Sequence, residues 1–299
     1  MKKICFFAAS LLLMASCVSN KKIAAARERL NGIKTQLEGE SGQLKDIGLS
    51  AGNRLESNRI DSNILQRINK RLTAAGHNLD SVQGHVSRLD EIFKTKRSVR
   101  QNYKKIVIPL LDSLQQQSDR YAQRLGLYMM IKDGLSVADF KLFDLAAFFG
   151  PGKYSIPEDK VDIAAQSFSP VLDSLLNFSN KYSAIPRTAT LIILGFADGT
   201  GYTPGSPLYD TLVTQLGRAD ASKEELNQQI SELRARELIK QLTNLYLRRA
   251  TEFKEVDKLH IEYIGQGKGE QYPMSSIKDY RVDDERRRIV LCYWVVLPD

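Results

Sequence analysis

The sequence predicts an α+β protein: an N-terminal helical coiled coil or bundle, then a smaller domain with the order β-α-β-α-β-β. Three observations carry this. Apolar residues recur at heptad spacing through much of the first half of the 299 residues. Gly and Pro cluster in FFGPGKYSIPED, residues 148–159, and there the helical period stops. Beyond that point helical stretches alternate with short runs rich in Ile, Leu and Val. With 42% apolar and 26% charged residues the chain can fill a core. The net charge is +8, yet the basic residues are scattered and Arg286, Arg287 and Arg288 form the one run of three, which weighs against a nucleic-acid partner. Three cysteines, at 5, 17 and 292, and three histidines exclude a disulfide scaffold and a Cys-rich zinc site. No cofactor is expected.

The chain opens on MKK and then ICFFAASLLLMA, an apolar stretch of twelve that is too short to span a bilayer. LLMASC, ending at Cys17, resembles the bacterial lipoprotein signal, with Met14 where Leu is usual. That resemblance implies a signal peptide over 1–16, removal before Cys17, a lipidated N-terminus over 17–20 and a membrane held through acyl chains without being spanned. Val18 is not the aspartate that retains some such proteins on the inner membrane, so an outer-membrane lipoprotein facing the periplasm is expected within the cell envelope.

Residues 21–147 form the helical region. In one register Leu30, Leu37, Leu44 and Ala51 fall at a, with Ile33, Glu40 and Ile47 at d. From Leu65 to Phe93 the a and d positions are all apolar, a coiled-coil or bundle seam. Between Gly48 and Asp61 the seam turns polar, so the chain either continues as a rod of roughly 110 Å or folds back as a hairpin. Pro109 marks a kink or a new helix. This region is expected to self-associate or to meet another envelope protein.

The domain boundary is placed at 147/148. A first short strand is expected around Tyr154 and a helix in SPVLDSLLNFSNKY, with Ser169 as N-cap and Pro170 at its first position. TATLIILGFADGT then reads as a buried strand. Ser222 and Glu225 are spaced as a capping box that opens the next helix. KLHIEYIGQGKGEQYP and RRRIVLCYWVVLP supply the last strands. Helices should pack on one face of the sheet.

Four blocks, GFAD at 195–198, LNQQISELRA at 226–235, GQGKGEQYP at 265–273 and RRRIV at 286–290, fall in the order of the OmpA-like peptidoglycan-binding domains, which residues 148–299 resemble. Phe196 stands where that family commonly has His and Arg286 where it commonly has Asn, and the 199–223 connection is longer than usual. The resemblance implies non-covalent binding of the diaminopimelate stem peptide of peptidoglycan, tethering membrane to cell wall. The chemistry of the residues agrees. The ligand ends in an ammonium beside a carboxylate, so a receptor needs an acid and a base on one cleft. Asp198, in a Gly-flanked turn, can accept the ammonium. Arg234 offers a planar fork to the carboxylate. Asn227, seven residues earlier, shares its helix face and can bond ligand amides. Arg287, by the family's terminal pair, either lines the cleft or braces Asp198. Arg236 is the rival for the Arg234 role. The alternative function is a lipid-anchored coiled-coil scaffold whose C-terminal domain binds another envelope protein. An enzyme is not expected, for residues 148–299 carry no Gly-x-Ser-x-Gly or His-Glu-x-x-His motif and His260 is their one histidine.

Overall fold

The computed structural model describes residues 18–57, 60–137, 141–143, 153–274 and 277–299. The expected signal peptide, Cys17 and the expected break in the helical pattern at Gly150, Pro151 and Gly152 lie outside them. The fold is α+β and divides into two compact units, the first comprising residues up to Asn53 with Ser62–Met129, the second Arg54–Asp61 with Met130–Asp299. The boundary expected at 147/148 thus falls inside the second unit. Among the described residues no helix is long and apolar enough to cross a membrane.

The first unit is a three-helix bundle. Helix α1, Asn20–Glu56, buries Ile23, Ala26, Leu30, Ile33, Leu37, Glu40, Leu44, Ile47 and Ala51, which is the a/d seam of the sequence with its one acidic member included. Helix α2, Ser62–Phe93, runs back along it: Arg27 donates to the Phe93 carbonyl at 2.6 Å and Lys34 pairs with Asp90 at 2.6 Å, while Gly48 lies against Leu72. Partner numbers fall on α2 as they rise on α1, so the chain makes the hairpin and not the rod. The polar stretch before Asp61 is what permits it, because burial of its side chains would stabilise nothing. The α2 seam holds at Ile68, Ala75, Val82, Val86, Leu89 and Phe93, whereas Leu65, Leu72 and Leu79 are only half-buried. A short helix α3, Lys96–Asn102, is capped by Thr95, whose hydroxyl accepts from the Ser98 N–H at 3.1 Å. One wide turn, Tyr103–Val107, leads into helix α4, Ile108–Val137. Pro109 is the second residue of α4 and directly follows that wide turn. Helix α4 runs parallel to α1, with Arg29 on Asp112 at 2.7 Å and Arg124 on Glu40 at 3.0 Å. Each sealed Leu or Ile of this core contributes about 2 kcal/mol by burial.

In the second unit strand β1 is Lys141–Phe143, upstream of the expected position, and among the described residues no strand forms around Tyr154. Three residues are too few to show alternation. Helix α5, Val161–Lys181, starts earlier than expected and carries Pro170 inside it, and Ser169 is no cap, since its hydroxyl donates to the Ala165 carbonyl at 3.1 Å. The proline's lost hydrogen bond is offset by the buried face of Ala164, Phe168, Val171, Leu172, Leu175 and Phe178. Strand β2, Arg187–Gly195, precedes helix α6, Pro207–Leu216, and helix α7, Lys223–Arg249, whose capping box of Ser222 and Glu225 is formed on both sides. Strands β3, Leu259–Gly267, and β4, Val290–Pro298, follow. The sheet order is β1-β4-β2-β3, with β3 parallel to β2 and β4 antiparallel to both β2 and β1.

Helices α5 and α7 share one core cluster with Ala189, Leu191 and Ile193 of β2 and Val290, Cys292, Trp294 and Val296 of β4, so both cover the same face. Burial pushes the Cys292 thiol up to about 12. Opposite-facing residues such as Ile192, Tyr293 and Val295 are buried too. Both faces of these central strands are therefore dry, and their sequence reads as an unbroken apolar run.

A candidate binding cleft at the end of the central strand

The cleft exists because helix α7 comes unusually close to β2. A Cβ on Gly195 would stand 2.0 Å from the Ser231 carbonyl oxygen, and one on Gly267 would stand 2.5 Å from the Ser231 hydroxyl. Glycine at both positions lets the helix lie across the strand ends. Residues three past Gly195 and three past Ser231 are thereby neighbours, and they are Asp198 and Arg234.

Asp198 follows the last residues of β2, where the Phe196 N–H bonds the Ile289 carbonyl at 3.0 Å and the Ala197 N–H bonds the Gly269 carbonyl at 2.8 Å. Its carboxylate accepts from the Thr200 N–H at 3.2 Å on one oxygen and from the Arg288 Nε on the other. Asp198 and Arg288 are both largely buried, with side-chain exposures of 12% and 14%. Arg234 is more deeply placed, 2% exposed, and donates from Nη1 to the Phe196 carbonyl at 2.8 Å and from Nε to the Lys153 carbonyl at 3.3 Å. Burial lowers its pKa to about 10, against the nearby Asp198 charge, so it remains a cation at neutral pH. The fork suggested by the sequence thus enters the cleft with those two nitrogens already engaged.

Asn227, one of the buried residues of α7, is fixed at both ends of its amide: its oxygen accepts from the Tyr202 hydroxyl and its nitrogen donates to Glu270 at 2.6 Å. Lys223 stands 3.4 Å from the same Glu270 oxygen. Burial raises the Tyr202 pKa and keeps its hydroxyl a donor. Asp198, Tyr202, Asn227, Arg234 and Arg288 line a cleft of about 60 Å³ together with Thr200, Gly201 and Leu208. That is room for about two water-sized groups, enough for the charged end of a ligand and not for its whole length.

The structure brings Asp198, Asn227 and Arg234 to one cleft and leaves Arg287 outside it. Arg287 is buried, but it donates to the carbonyls of Arg281, Val282 and Glu270 and so holds those three residues together. The residue that braces Asp198 is Arg288. A turn of 3-10 helix over Glu285–Arg287 sets the direction of these neighbours, so the two arginines diverge. Arg236 is exposed and pairs with Glu232 at 3.6 Å, outside the cleft. Phe196 packs with Ile289 and Leu291, and Arg286 is occupied by Asp284 at 2.9 Å. Sequence reading missed Arg288, Tyr202 and Thr200. The last two belong to the long 199–223 connection, which supplies one wall of the cleft. Among the described residues no group of three or more His, Cys, Asp or Glu could hold a metal ion.

No protein-family model, curated protein or solved structure matches the chain.

Proposed function

We propose that this chain is a membrane-anchored envelope lipoprotein whose C-terminal domain, OmpA-like in fold, binds peptidoglycan through the zwitterionic end of its stem-peptide diaminopimelate. The observation that carries this is the buried Asp198–Arg288 pair at the mouth of a cleft that also holds Arg234. A single cation or anion entering there would strip one partner from the other and leave a buried charge unmatched, which is costly. A zwitterion can open the pair without that loss, its ammonium taking Asp198 and its carboxylate taking Arg288 and Arg234. Asn227, held by Tyr202 and Glu270, is placed to read a neighbouring amide. The strand and helix order of the second unit supports the OmpA-like reading, with α6 as an insertion in the 199–223 connection.

Co-sedimentation of the full chain, in detergent, with purified diaminopimelate-type peptidoglycan tests this. Asp198→Asn and Arg234→Ala should each weaken binding by well over tenfold, since truncating one partner of a desolvated charged contact costs about 2–5 kcal/mol. Arg236→Ala should bind like the native chain. Peptidoglycan amidated on the free carboxylate should bind poorly. Equal binding by native protein and both cleft variants would reject the reading and favour a scaffold that contacts another envelope protein. The anchor is tested separately: Cys17→Ala should move the protein out of the membrane fraction, and unchanged fractionation would remove the lipid anchor from the proposal.

A further inference from the structure

A second cavity, of about 140 Å³, lies within the helical bundle. That volume equals about four or five water molecules. Its polar lining comes from all three long helices: Glu40 of α1, Asn78 and Ser81 of α2, and Gln117, Arg120 and Arg124 of α4. The two arginines are four residues apart on one helix face, an arrangement that is repulsive unless something negative lies near both.

The protein's own negative charge there is already committed. Glu40 is 1% exposed, and its carboxylate accepts from Arg124 Nη2 at 3.0 Å and from the Tyr128 hydroxyl at 2.9 Å. Tyr128 stays protonated, because burial and the adjacent carboxylate raise its pKa. Glu40 therefore balances Arg124 and leaves the charge of Arg120, which pairs with no acid among the described residues. Arg124 itself has an unmet group: its Nε is buried and has no hydrogen-bond partner. Buried donors of this kind are rare in folded proteins and call for a partner.

Three kinds of guest can be compared. A cation would meet two guanidinium groups. An apolar molecule would leave the Arg124 Nε as unsatisfied as before. An oxyanion meets both needs, and the amides of Asn78 and Gln117 and the Ser81 hydroxyl are suitable further donors. We propose that this cavity binds a small oxyanion, of the carboxylate or phosphate class, between Arg120 and Arg124. Glu40 acts there as a positioning residue that fixes the Arg124 guanidinium.

Isothermal titration of the full chain with inorganic phosphate and, in parallel, with acetate, each against sodium chloride at matched ionic strength, tests this. The native chain should show saturable binding and a raised thermal midpoint, as expected for a ligand that binds only the folded state. Arg120→Gln should weaken that binding at least tenfold. Because Arg120 is exposed, its unliganded thermal midpoint should stay within about 1 °C of native. Arg124→Lys keeps a cation for Glu40 but lacks Nε, and it should also lose at least tenfold. The arginines of the other unit could take an anion as well, so the signal that counts is the component Arg120→Gln removes. Phosphate binding alone would assign a tetrahedral guest and acetate binding a carboxylate. Saturable binding of neither, or isotherms unchanged by Arg120→Gln, would overturn the proposal.

Discussion

Glu40 in the bundle and Asp198 in the α+β unit are both nearly sealed from water, 1% and 9% exposed, and each holds an arginine. They are satisfied by different means. Glu40 lies mid-helix, where every backbone N–H is already spent on the helix, so its partners have to be side chains, Arg124 and Tyr128. Asp198 lies just past a strand end, where a backbone N–H, that of Thr200, is available, and where carbonyls remain to hold Arg234 in place. Around Glu40 the pairing itself is fixed by side chains, and what stays open is the Arg124 Nε, which has no partner among the described residues. The set around Asp198 is built from groups that can re-pair with a guest.

Three experiments would break or sharpen this contrast. The largest effect is expected at Glu40. Glu40→Ala leaves Arg124 and Tyr128 without their acceptor and should cost about 3 kcal/mol in urea unfolding, near the lower end for a broken buried pair because Arg124 is about a third exposed. The triple change Glu40→Leu, Arg124→Leu, Tyr128→Phe should restore most of it. A cost under about 1 kcal/mol for the single change would mean that the bundle does not depend on this pair.

Next comes Gly195→Ala, which places a methyl against the Ser231 carbonyl and should destabilise the α+β unit by about 2–3 kcal/mol, read as a lowered thermal midpoint. Peptidoglycan binding should fall with it, because α7 must back away from β2 and carry Arg234 with it. Retained stability would show that the helix can slide, and that the cleft is less rigid than its glycines imply.

The smallest effect is expected at Asp133, a carboxylate about a third exposed that serves as control for both. The hydrogen bond from Lys181, at 2.6 Å, and then that from the Tyr182 hydroxyl hold its pKa below the usual carboxylate range. A depressed folded pKa means its contribution is present above the unfolded value of about 4 and disappears as pH falls through the lower folded value. Solvent screening should keep it under about 1 kcal/mol. Asp133→Asn should flatten that part of the stability profile below pH 4, and an equal acid loss in the variant would assign it elsewhere.

Much of the bundle was legible because burial in a helix follows a fixed period. The α1 stripe matches the heptad register down to Glu40, which showed itself in the sequence as an acid in an apolar column. Rod and hairpin share one seam pattern, so the choice between them lies in tertiary contacts such as Lys34 with Asp90. Local rules failed where packing outweighed them. Pro170 reads as a helix start, yet the apolar face on both sides of it keeps one helix running. In the cleft, Asp198, Asn227 and Arg234 were found by motif and helix spacing. Arg288 was missed by one position, since nothing in a run of three arginines tells which one a tight turn will aim at Asp198. Tyr202 was missed because its role depends on a loop folding back over the strand end, and no periodicity encodes that.

The three-helix path also decides how the bundle would respond to load. Partners on α1 and α4 rise together, 29 with 112 and 40 with 124, so Asn20 and Met129 lie at opposite ends of the stack. Tension between them does not peel one layer from the next. It shears every layer at once, which concentrates resistance into a single rupture. Beyond that point the same segment lengthens from about 40 Å to about 370 Å, so a short, stiff spacer becomes a long leash in one step.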